Sequence, residues 1–420
     1  MSGLKARLRN NPAARSAVRV ARNVKGRISR PLNRVIRQKK WSKQTKAGLN
    51  STSIGLPRVV CTNVFEFTIW EGLSDKINID ILEPRKLNER PLPLTLEPTR
   101  HYELDRRAVT WDPEATVFEL PKGRIISPYQ AIVTAQDAYL QEESYEFHSH
   151  DVWDRRFFAE QRDLPPVKSV PGTVAHVSAY GDDGNIFHFI HNALPRLGLI
   201  QRSQWKDEIN SYYIGSDKFR FINSTLDLLD IPESKRIYGN HVPHIEAEYL
   251  ISTARPERFG QIEKWNFEAV RSLLLPRLEP RQAKEKIYIS RSTATQRRIL
   301  NEEELMAALV PLGFKIVHME KLTVREQAQT MRDASVVVGA HGANLTFINM
   351  INPGTPVVEI FPRNFVVSCY YQLASMAGAK YGYVLDEAAQ QSDLTNLKRY
   401  ASDDIRVDVA KVLKTLELVS

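Results

Sequence analysis

The sequence predicts an α/β protein with a doubly wound parallel sheet in its C-terminal half. From Lys286 to Ala377, short apolar runs alternate with segments of helical length, which is the order that parallel βαβ units produce. The chain has 420 residues, more than one domain usually holds, so a second domain is expected before that sheet. The composition, with 42% hydrophobic and 25% charged residues, is typical of a globular protein.

Each element has a local signal. Short apolar runs mark the strands, and Gly or Pro follows several of the expected helices. In the C-terminal half, the expected strands are 286–290, 314–318, 335–339 and 356–361, and the expected helices are 302–312, 323–334, 344–351 and 365–377. Upstream, we expect strands at 64–70, 116–120, 131–135 and 173–180, and helices at 185–201 and 261–278. A last helix is expected at 405–418.

These elements divide the chain into four segments. A basic arm is expected at 1–50 and a Rossmann-like N-terminal domain at 51–258. A Rossmann-like C-terminal domain is expected at 259–390, and a helical segment at 391–420.

Positive charge is concentrated in the arm. The sequence has 58 Lys and Arg against 49 Asp and Glu, and no acid occurs before Glu66. Because the basic balance belongs to a tail, it argues against a globular nucleic-acid-binding protein. Apolar residues recur at helical spacing from Val18 to Val35, which favours an amphipathic helix. We therefore interpret residues 1–45 as a contact to an anionic membrane surface. An inert tail and another polyanionic partner are the alternatives.

Cysteine usage and hydropathy favour a cytoplasmic protein. Cys61 and Cys369 lie far apart in the sequence, so neither a disulfide framework nor a cysteine metal site is expected. No apolar run approaches the ~20 residues that span a bilayer, and the N-terminus lacks the apolar segment of a signal peptide.

The most informative segment is a strand that ends in two closely spaced glycines. The run 336–338 leads to Gly339-Ala340-His341-Gly342, and a helix follows. Ligands bind at the carboxyl ends of parallel strands, and a helix N-terminus favours phosphate. The glycine spacing differs from that of dinucleotide and Walker loops, which argues against NAD and ATP. The candidate phosphate contacts are His341, Gly342, Ala343 and Asn344. A tight turn around a core histidine is the alternative.

Charged residues accompany two neighbouring strands. Ser290 and Arg291 come at the end of an apolar strand, and Arg297 and Arg298 follow in the same loop. Arg binds phosphate through two parallel hydrogen bonds, so these residues are candidate ligand contacts, with a solvated basic loop as the alternative. Glu359 interrupts an apolar strand, and a buried carboxylate needs a partner. A ribose hydroxyl pair and a structural salt bridge are both compatible with it.

A histidine near a helix start is the candidate general base. Asn185 begins the expected helix directly after a turn that contains Asp183. His188 and Asn192 lie one helical turn apart and therefore share a face. A His or Asp at this position can deprotonate a hydroxyl group, which makes His188 the first candidate and Asp183 the second. A satisfied core histidine is the alternative.

Together these segments resemble glycosyltransferase family 61, which includes bacterial polysaccharide enzymes and eukaryotic xylosyl- and N-acetylglucosaminyltransferases. The motifs that carry the resemblance are Asn185…His188…Leu194-Pro195-Arg196-Leu197, Ser290-Arg291, Arg297-Arg298-Ile299, Gly339-Ala340-His341-Gly342-Ala343 and Val358-Glu359-Ile360-Phe361-Pro362. They extend roughly from Thr173 to Tyr383, and their order is more specific than any single motif.

The resemblance implies a GT-B architecture, in which two Rossmann-like domains face each other across a cleft. The acceptor side is then 51–258, with Asn185, Asn192 and Arg196 at the cleft, and the nucleotide-sugar side is 259–390. The resemblance also implies inversion at the anomeric carbon. Arg and backbone N–H groups stabilise a departing diphosphate, and no convincing Asp-x-Asp motif occurs, so we expect no metal and no cofactor. Many relatives carry an acid where this chain has Asn192, which cannot act as a base.

The predicted function is inverting transfer of a sugar from a nucleotide-sugar donor to a hydroxyl of a glycan or glycolipid acceptor. We expect it to serve bacterial capsular or other surface polysaccharide synthesis, in the cytoplasm and at the inner face of the membrane. A non-catalytic nucleotide- or glycan-binding relative is one alternative, favoured by Asn192. Another phosphate-handling Rossmann enzyme is a second alternative, disfavoured by the missing Walker loop.

Overall fold

The computed structural model describes residues 57, 59–70, 77–144, 164–182, 184–258, 260–387 and 403–420. The predicted arm at 1–50 lies outside these residues, and so does Asp183. The predicted segment limits at 50, 258 and 390 fall in or beside undescribed residues, so the division into four segments stays a prediction.

Strands and helices alternate in the C-terminal half, and helices also separate several strands of the N-terminal half, which confirms the predicted α/β class. The strands are β1 (Val59–Cys61), β2 (Ile79–Glu83), β3 (Lys86–Glu89), β4 (Val109–Asp112), β5 (Ala115–Pro121), β6 (Arg124–Ile126), β7 (Ala131–Val133), β8 (Ala138–Leu140), β9 (Lys168–Val177), β10 (Ser211–Ile214), β11 (Arg236–Tyr238), β12 (His244–Thr253), β13 (Glu257–Arg258), β14 (Gln261–Ile262), β15 (Glu285–Ile289), β16 (Phe314–Val317), β17 (Ala334–Ala340), β18 (Pro356–Phe361) and β19 (Lys380–Leu385). The α-helices are α1 (Val64–Trp70), α2 (Tyr102–Asp105), α3 (Ile186–His188), α4 (Leu194–Ile200), α5 (Arg220–Leu228), α6 (Lys264–Leu274), α7 (Glu302–Leu309), α8 (Val324–Asp333), α9 (Cys369–Met376) and α10 (Val409–Val419). A π-helical turn, Phe189–Ala193, joins α3 to α4, and a 3-10 helix covers Ala343–Met350. None of the described helices has the length and apolarity that crossing a membrane requires.

Five parallel strands form the C-terminal sheet, in the order β16-β15-β17-β18-β19. The chain leaves β15 toward one side to form β16 and then returns to the other side of β15 to form β17. The strand order therefore reverses at β15. The carboxyl ends of β15 and β17 border a crevice, which is where ligands bind in open sheets of this kind.

Apolar side chains cover both faces of the C-terminal sheet, because neighbouring residues of a strand point to opposite sides. Val338 and Val358 pack against α7 and α10 on one face. Val337 and Val357 point to the other face, toward the N-terminal half. The last helix, α10, packs on β18 and β19 and so belongs to this sheet.

Ten strands form the N-terminal sheet, which is mixed rather than fully parallel. β12, β9, β10 and β11 are parallel neighbours and form its Rossmann-like part. On the other side of β12 lie the antiparallel strands β5 and β6, and hairpins continue from β6 to β7 and β8. The expectation of a simple Rossmann-like N-terminal domain therefore needs correction. The connections between β6, β7 and β8 are too short for parallel pairing, which needs a crossover of about a dozen residues.

The segment Val64–Trp70, predicted as a strand, is the helix α1. Asn63 Oδ1 accepts a hydrogen bond from the backbone N–H of Glu66 (3.1 Å), and the Glu66 carboxylate accepts one from the N–H of Thr62. This reciprocal capping is a helix signal. The β-branched and aromatic residues of α1 favour a strand, but local capping and burial of one helical face outweigh that preference.

One hydrophobic cluster contains residues of both sheets. Ala175 contributes to it from β9, and Ile289 from β15. Within it, α4 and α6 pack so closely that a Cβ on Gly198 would lie 2.8 Å from the Cβ of Ala269. This packing fixes the helical segment that begins at Asn185 relative to the C-terminal sheet.

Candidate functional site

The loops after β15 and β17 meet at the reversal point of the C-terminal sheet, as their motifs predict. The Arg291 guanidinium lies across Gly342, where an added Cβ would be only 2.0 Å from Arg291 Nη1. The group that lies against the backbone of Gly342 is thus the side chain of Arg291. Arg291 Nε donates to the carbonyl of Arg297 (3.2 Å), and Nη2 donates to the carbonyl of Gln296 (2.9 Å).

Arg291 is a buried cation beside the glycine motif. The residue is only 6% exposed, and burial lowers the pKa of its guanidinium, as does the nearby charge of Arg297. Within the described part of the chain, Nη1 makes no hydrogen bond. Nearby, a 3-10 helix begins at Ala343, and the first N–H groups of a helix have no partner inside it. A phosphate at this point would meet both kinds of donor.

The two arginines that follow in the loop point in different directions. Arg297 donates from Nε to the carbonyl of His341 (3.1 Å) and lies over the ring of Phe365. Arg298 is exposed, and its guanidinium and backbone N–H both bind the carboxylate of Asp404. The prediction that Arg298 contacts the donor therefore needs correction, because its hydrogen bonds tie the loop to the C-terminal segment.

His341 and Glu359 form a buried pair. Nδ1 of His341 lies 2.6 Å from Glu359 Oε1, and Tyr381 donates its hydroxyl to Oε2 (2.5 Å). Burial lowers the pKa of His341, although the hydrogen bond to Glu359 opposes that effect. The ring is therefore neutral near pH 7 and donates from Nδ1. Glu359 is 1% exposed and both its oxygens are engaged, so the predicted contact to a ribose is corrected to a positioning role for His341.

Ser290 and Asn344 form a contact between the loops that follow β15 and β17. Ser290 is buried, with its hydroxyl 3.2 Å from that of Ser292. The Asn344 side-chain amide donates to the carbonyl of Ser290 (3.4 Å) and lies 3.5 Å from Glu320 Oε2. Glu320 follows β16, and sequence reasoning did not single it out.

A cavity of about 770 Å³ opens at this edge of the sheet, between the two halves of the described chain. Its walls are Gly184–Ile186 and Phe219–Phe221 with Ser224 from the N-terminal half, and Thr295, Gln296, Glu320–Val324, Gln327, Ala343 and Asn344 from the C-terminal half. Ligand pockets for molecules of drug or cofactor size hold roughly 300–1,000 Å³. The cavity is therefore large enough for a nucleotide with a sugar attached.

The candidate base lies one turn behind the cavity wall. Asn185 caps α3, because its side chain accepts from the N–H of Phe187 (2.9 Å). His188 is half-buried, and its Nδ1 lies 3.0 Å from Asn192 Oδ1. With that oxygen as the acceptor, Nδ1 carries the proton and Nε2 carries the lone pair. The π-helical turn between α3 and α4 begins directly after His188, and such turns are frequent at functional sites.

Two contacts that the sequence did not predict join the helical segment around His188 to the C-terminal sheet and its glycine motif. Nε2 of His191 lies 2.9 Å from the carbonyl of Thr346, in the 3-10 helix that follows the glycine motif. The ring of Phe187 packs edge-on against Tyr370, which also contacts His341. His191 lies in the same sequence segment as His188, but its spacing does not show whether it contacts the other sheet or is an ordinary core residue.

His191 is expected to make stability dependent on pH. Burial lowers its pKa to about 4, against an ordinary value near 6.5, so the unfolded chain binds more protons between these values. The free energy of unfolding should therefore fall as the pH is lowered through this window, with about 3 kcal/mol attributable to this residue. We expect His191→Gln, which keeps a donor for Thr346, to reduce this fall in urea unfolding at pH 7 and pH 4.5. The exposed His241→Gln serves as the control, and parallel profiles for all three proteins would contradict the assignment.

Arg196, predicted at the cleft, is a buried structural residue. Its guanidinium donates to the carbonyl of Thr253 (3.2 Å) and to the carbonyl of Glu143 (3.0 Å). Burial lowers its pKa to about 10, so it stays charged at neutral pH. The prediction is corrected because these hydrogen bonds join α4 to β12 and to the segment after β8, and Arg196 is only 2% exposed.

The fold and the cavity together define a class of protein: an α/β protein with a cavity at the reversal point of its parallel sheet, the position at which open sheets of this kind bind ligands. The family model described as Glycosyltransferase 61 matches residues 186–358. This match confirms the resemblance to glycosyltransferase family 61, and it includes His188, Arg291 and His341.

Three curated relatives are similar to parts of the chain. The beta-1,2-xylosyltransferase of Arabidopsis thaliana is 30% identical over 99 residues, which cover 20% of this chain and 18% of the relative. The EGF domain-specific O-linked N-acetylglucosamine transferase of Drosophila melanogaster is 32% identical over 123 residues, covering 27% and 23%. The protein O-linked-mannose beta-1,4-N-acetylglucosaminyltransferase 2 of Takifugu rubripes is 32% identical over 114 residues, covering 25% and 19%. Each match spans less than a quarter of the relative's length.

Among solved structures, the bacterial iron-containing dodecameric glycosyltransferase TibC from enterotoxigenic E. coli H10407 aligns over 79% of this chain and 98% of its own. The identity is 11% and the TM-score 0.33, a similarity too low to support a structural conclusion. Among the described residues, no group of three or more His, Cys, Asp or Glu side chains is placed to hold a metal ion.

Proposed function

We propose that this protein is an inverting glycosyltransferase that moves a sugar from a nucleotide-sugar donor to a hydroxyl of a glycan or glycolipid acceptor. The observation that carries the proposal is the cavity at the reversal point of the C-terminal sheet. Its volume of about 770 Å³ is large enough for a nucleotide-sugar, and it lies between the two halves of the described chain. The family 61 match over residues 186–358 and the transferase relatives support the same reaction.

In this proposal the C-terminal sheet holds the donor. The diphosphate lies against Arg291 Nη1 and the N–H groups at Ala343 and Asn344. These donors stabilise the negative charge that develops on the departing nucleotide, so the reaction proceeds without a metal or other cofactor. The neutral ring of His341, oriented by Glu359, forms a polar part of the donor site beside Arg291.

The N-terminal half holds the acceptor, in a GT-B arrangement with the cleft between the two sheets. An acceptor hydroxyl enters near Gly184–Ile186 and attacks the anomeric carbon from the face opposite the diphosphate, which inverts its configuration. His188 takes the proton of that hydroxyl through Nε2, and Asp183 is the second candidate for this role.

We further propose a bacterial setting, with the product a capsular or other surface polysaccharide made at the cytoplasmic face of the membrane. The basic residues of 1–45, with no acid among them, would hold the enzyme at anionic lipid. Removing residues 1–45 should then reduce sedimentation with phosphatidylglycerol vesicles, with neutral phosphatidylcholine vesicles as the control. Equal sedimentation of both proteins with both vesicles would contradict the membrane contact.

The test of the donor site is a calorimetric binding screen of the full chain against UDP, GDP, CMP and their common sugar conjugates. We expect saturable binding of one nucleotide and of its sugar conjugate. Absence of binding by a folded sample would contradict the proposed donor site. Binding without sugar transfer to any acceptor would instead favour a non-catalytic relative, the alternative to which Asn192 points.

A further inference from the structure

We infer that Glu320 is the residue that recognises the ribose of the bound nucleotide, accepting hydrogen bonds from its hydroxyl groups. The inference rests on the proposed function, because it assigns one part of the donor to one wall of the same cavity. The sequence instead suggested Glu359 for this role, but Glu359 is only 1% exposed and is not part of the cavity wall.

The position of Glu320 in the sheet is the first argument. β15 and β16 are the first two strands of the C-terminal sheet, and Glu320 comes directly after β16. The proposed phosphate contacts follow β15 and β17, and β16 lies beside β15, so the carboxyl ends of all three strands meet at one edge of the sheet, where ligands bind. Glu320 lies at that edge, and its side chain forms part of the cavity wall.

The second argument is the distance to the phosphate site. Glu320 Oε2 lies 3.5 Å from the side-chain amide nitrogen of Asn344, the second residue of the helix after the glycine motif. The carboxylate is therefore a near neighbour of the proposed phosphate contacts. A ribose is the part of a nucleotide that lies next to its phosphates.

The third argument is chemical. Thr293 donates its hydroxyl to Glu320 Oε1, and His318 Nδ1 lies 3.7 Å from the same oxygen. Partial burial raises the pKa of Glu320, but the Thr293 hydrogen bond and the charges of His318 and Lys321 lower it overall. The group is therefore an ionised carboxylate, which only accepts hydrogen bonds. It would repel a phosphate but suits a pair of hydroxyl donors.

Calorimetry on three full-length proteins tests the inference: wild type, Glu320→Gln and Glu303→Gln. The glutamine at 320 keeps the shape and can still accept from Thr293. Glu303 is an exposed acid on α7, away from the cavity, and controls for loss of one negative charge. Each protein is titrated with UDP, GDP, CDP and ADP, and then with the 2′-deoxy and 3′-deoxy forms of the nucleotide that binds.

We expect wild type and Glu303→Gln to bind the parent nucleotide about tenfold or more tightly than at least one deoxy form, because a hydrogen bond to a charged group is lost. Glu320→Gln should bind the parent and that deoxy form with nearly equal, weaker affinity. The inference is overturned if wild type does not distinguish the ribose forms, or if Glu320→Gln keeps the preference. It is also overturned if Glu320→Gln weakens all three forms equally, since the carboxylate then contacts the base. If wild type binds none of the four diphosphates and no CMP, the proposed function itself fails.

Discussion

Replacing Arg291 with alanine is expected to weaken binding of the donor nucleotide about a hundredfold. Hydrogen bonds to charged groups contribute about 1.5–3 kcal/mol each, and the phosphate is expected to lose two of them. Nη1 of Arg291 makes no hydrogen bond to the described residues and carries two hydrogens, so it can supply both bonds. Loss of the side chain also loosens the loop that it ties to Gln296. Isothermal titration with the nucleotide found in the binding screen measures the change.

A second variant reaches the same arginine from the other side. Gly342 has an extended backbone that alanine can adopt, but the new methyl group would overlap Arg291 Nη1. Gly342→Ala should therefore displace the guanidinium and weaken nucleotide binding without removing its charge. Arg298→Ala is the matched control, because Arg298 is exposed and bonded to Asp404, and its affinity should equal that of wild type. Wild-type affinity in both Arg291→Ala and Gly342→Ala would remove the phosphate assignment.

Replacing His188 with alanine is expected to lower turnover by about 10²–10⁴-fold with little change in nucleotide affinity, because general base catalysis contributes that much. The effect should appear in kcat, since His188 is not part of the wall that holds the donor. Asp183→Ala is the discriminating partner. If turnover survives in His188→Ala and is abolished in Asp183→Ala, then Asp183 is the base.

Asn192→Asp tests the same base without removing it. Asn192 Oδ1 lies 3.0 Å from His188 Nδ1, so the negative charge of an aspartate there would stabilise the imidazolium form of His188. A base is active only when it is unprotonated, so the acid limb of the kcat/KM profile should move to higher pH. A profile identical to that of wild type would argue that His188 carries no proton in the reaction.

The C-terminal sheet was predictable because its signals are local. The run Pro356–Phe361 is a strand with the predicted limits, and Thr323 caps α8 through a reciprocal bond with Glu326. The N-terminal sheet was not, because its antiparallel strands β5 and β6 pair with β12, which lies far away in the sequence.

The sequence predicted that the site residues lie at the ends of strands, but it did not predict the directions in which their side chains point. Arg297 and Arg298 are neighbours in the sequence, yet one bonds to the glycine motif and the other to Asp404. Glu359 and Glu320 both accompany strands of the same sheet, yet one is sealed by Tyr381 and the other lines the cavity. Composition and spacing do not encode these directions, which result from packing between segments distant in sequence.

The hydrophobic cluster shared by the two sheets has a consequence for how the molecule folds. Ala175 and Ile289 belong to one apolar interior, so separating the halves would expose that interior to water. We therefore expect the chain to lose both sheets in one cooperative transition. The relative position of the two walls of the cleft then depends on the folding of the whole chain. A shortened chain that keeps only the C-terminal sheet would lack the apolar surface of the N-terminal half that packs against that sheet.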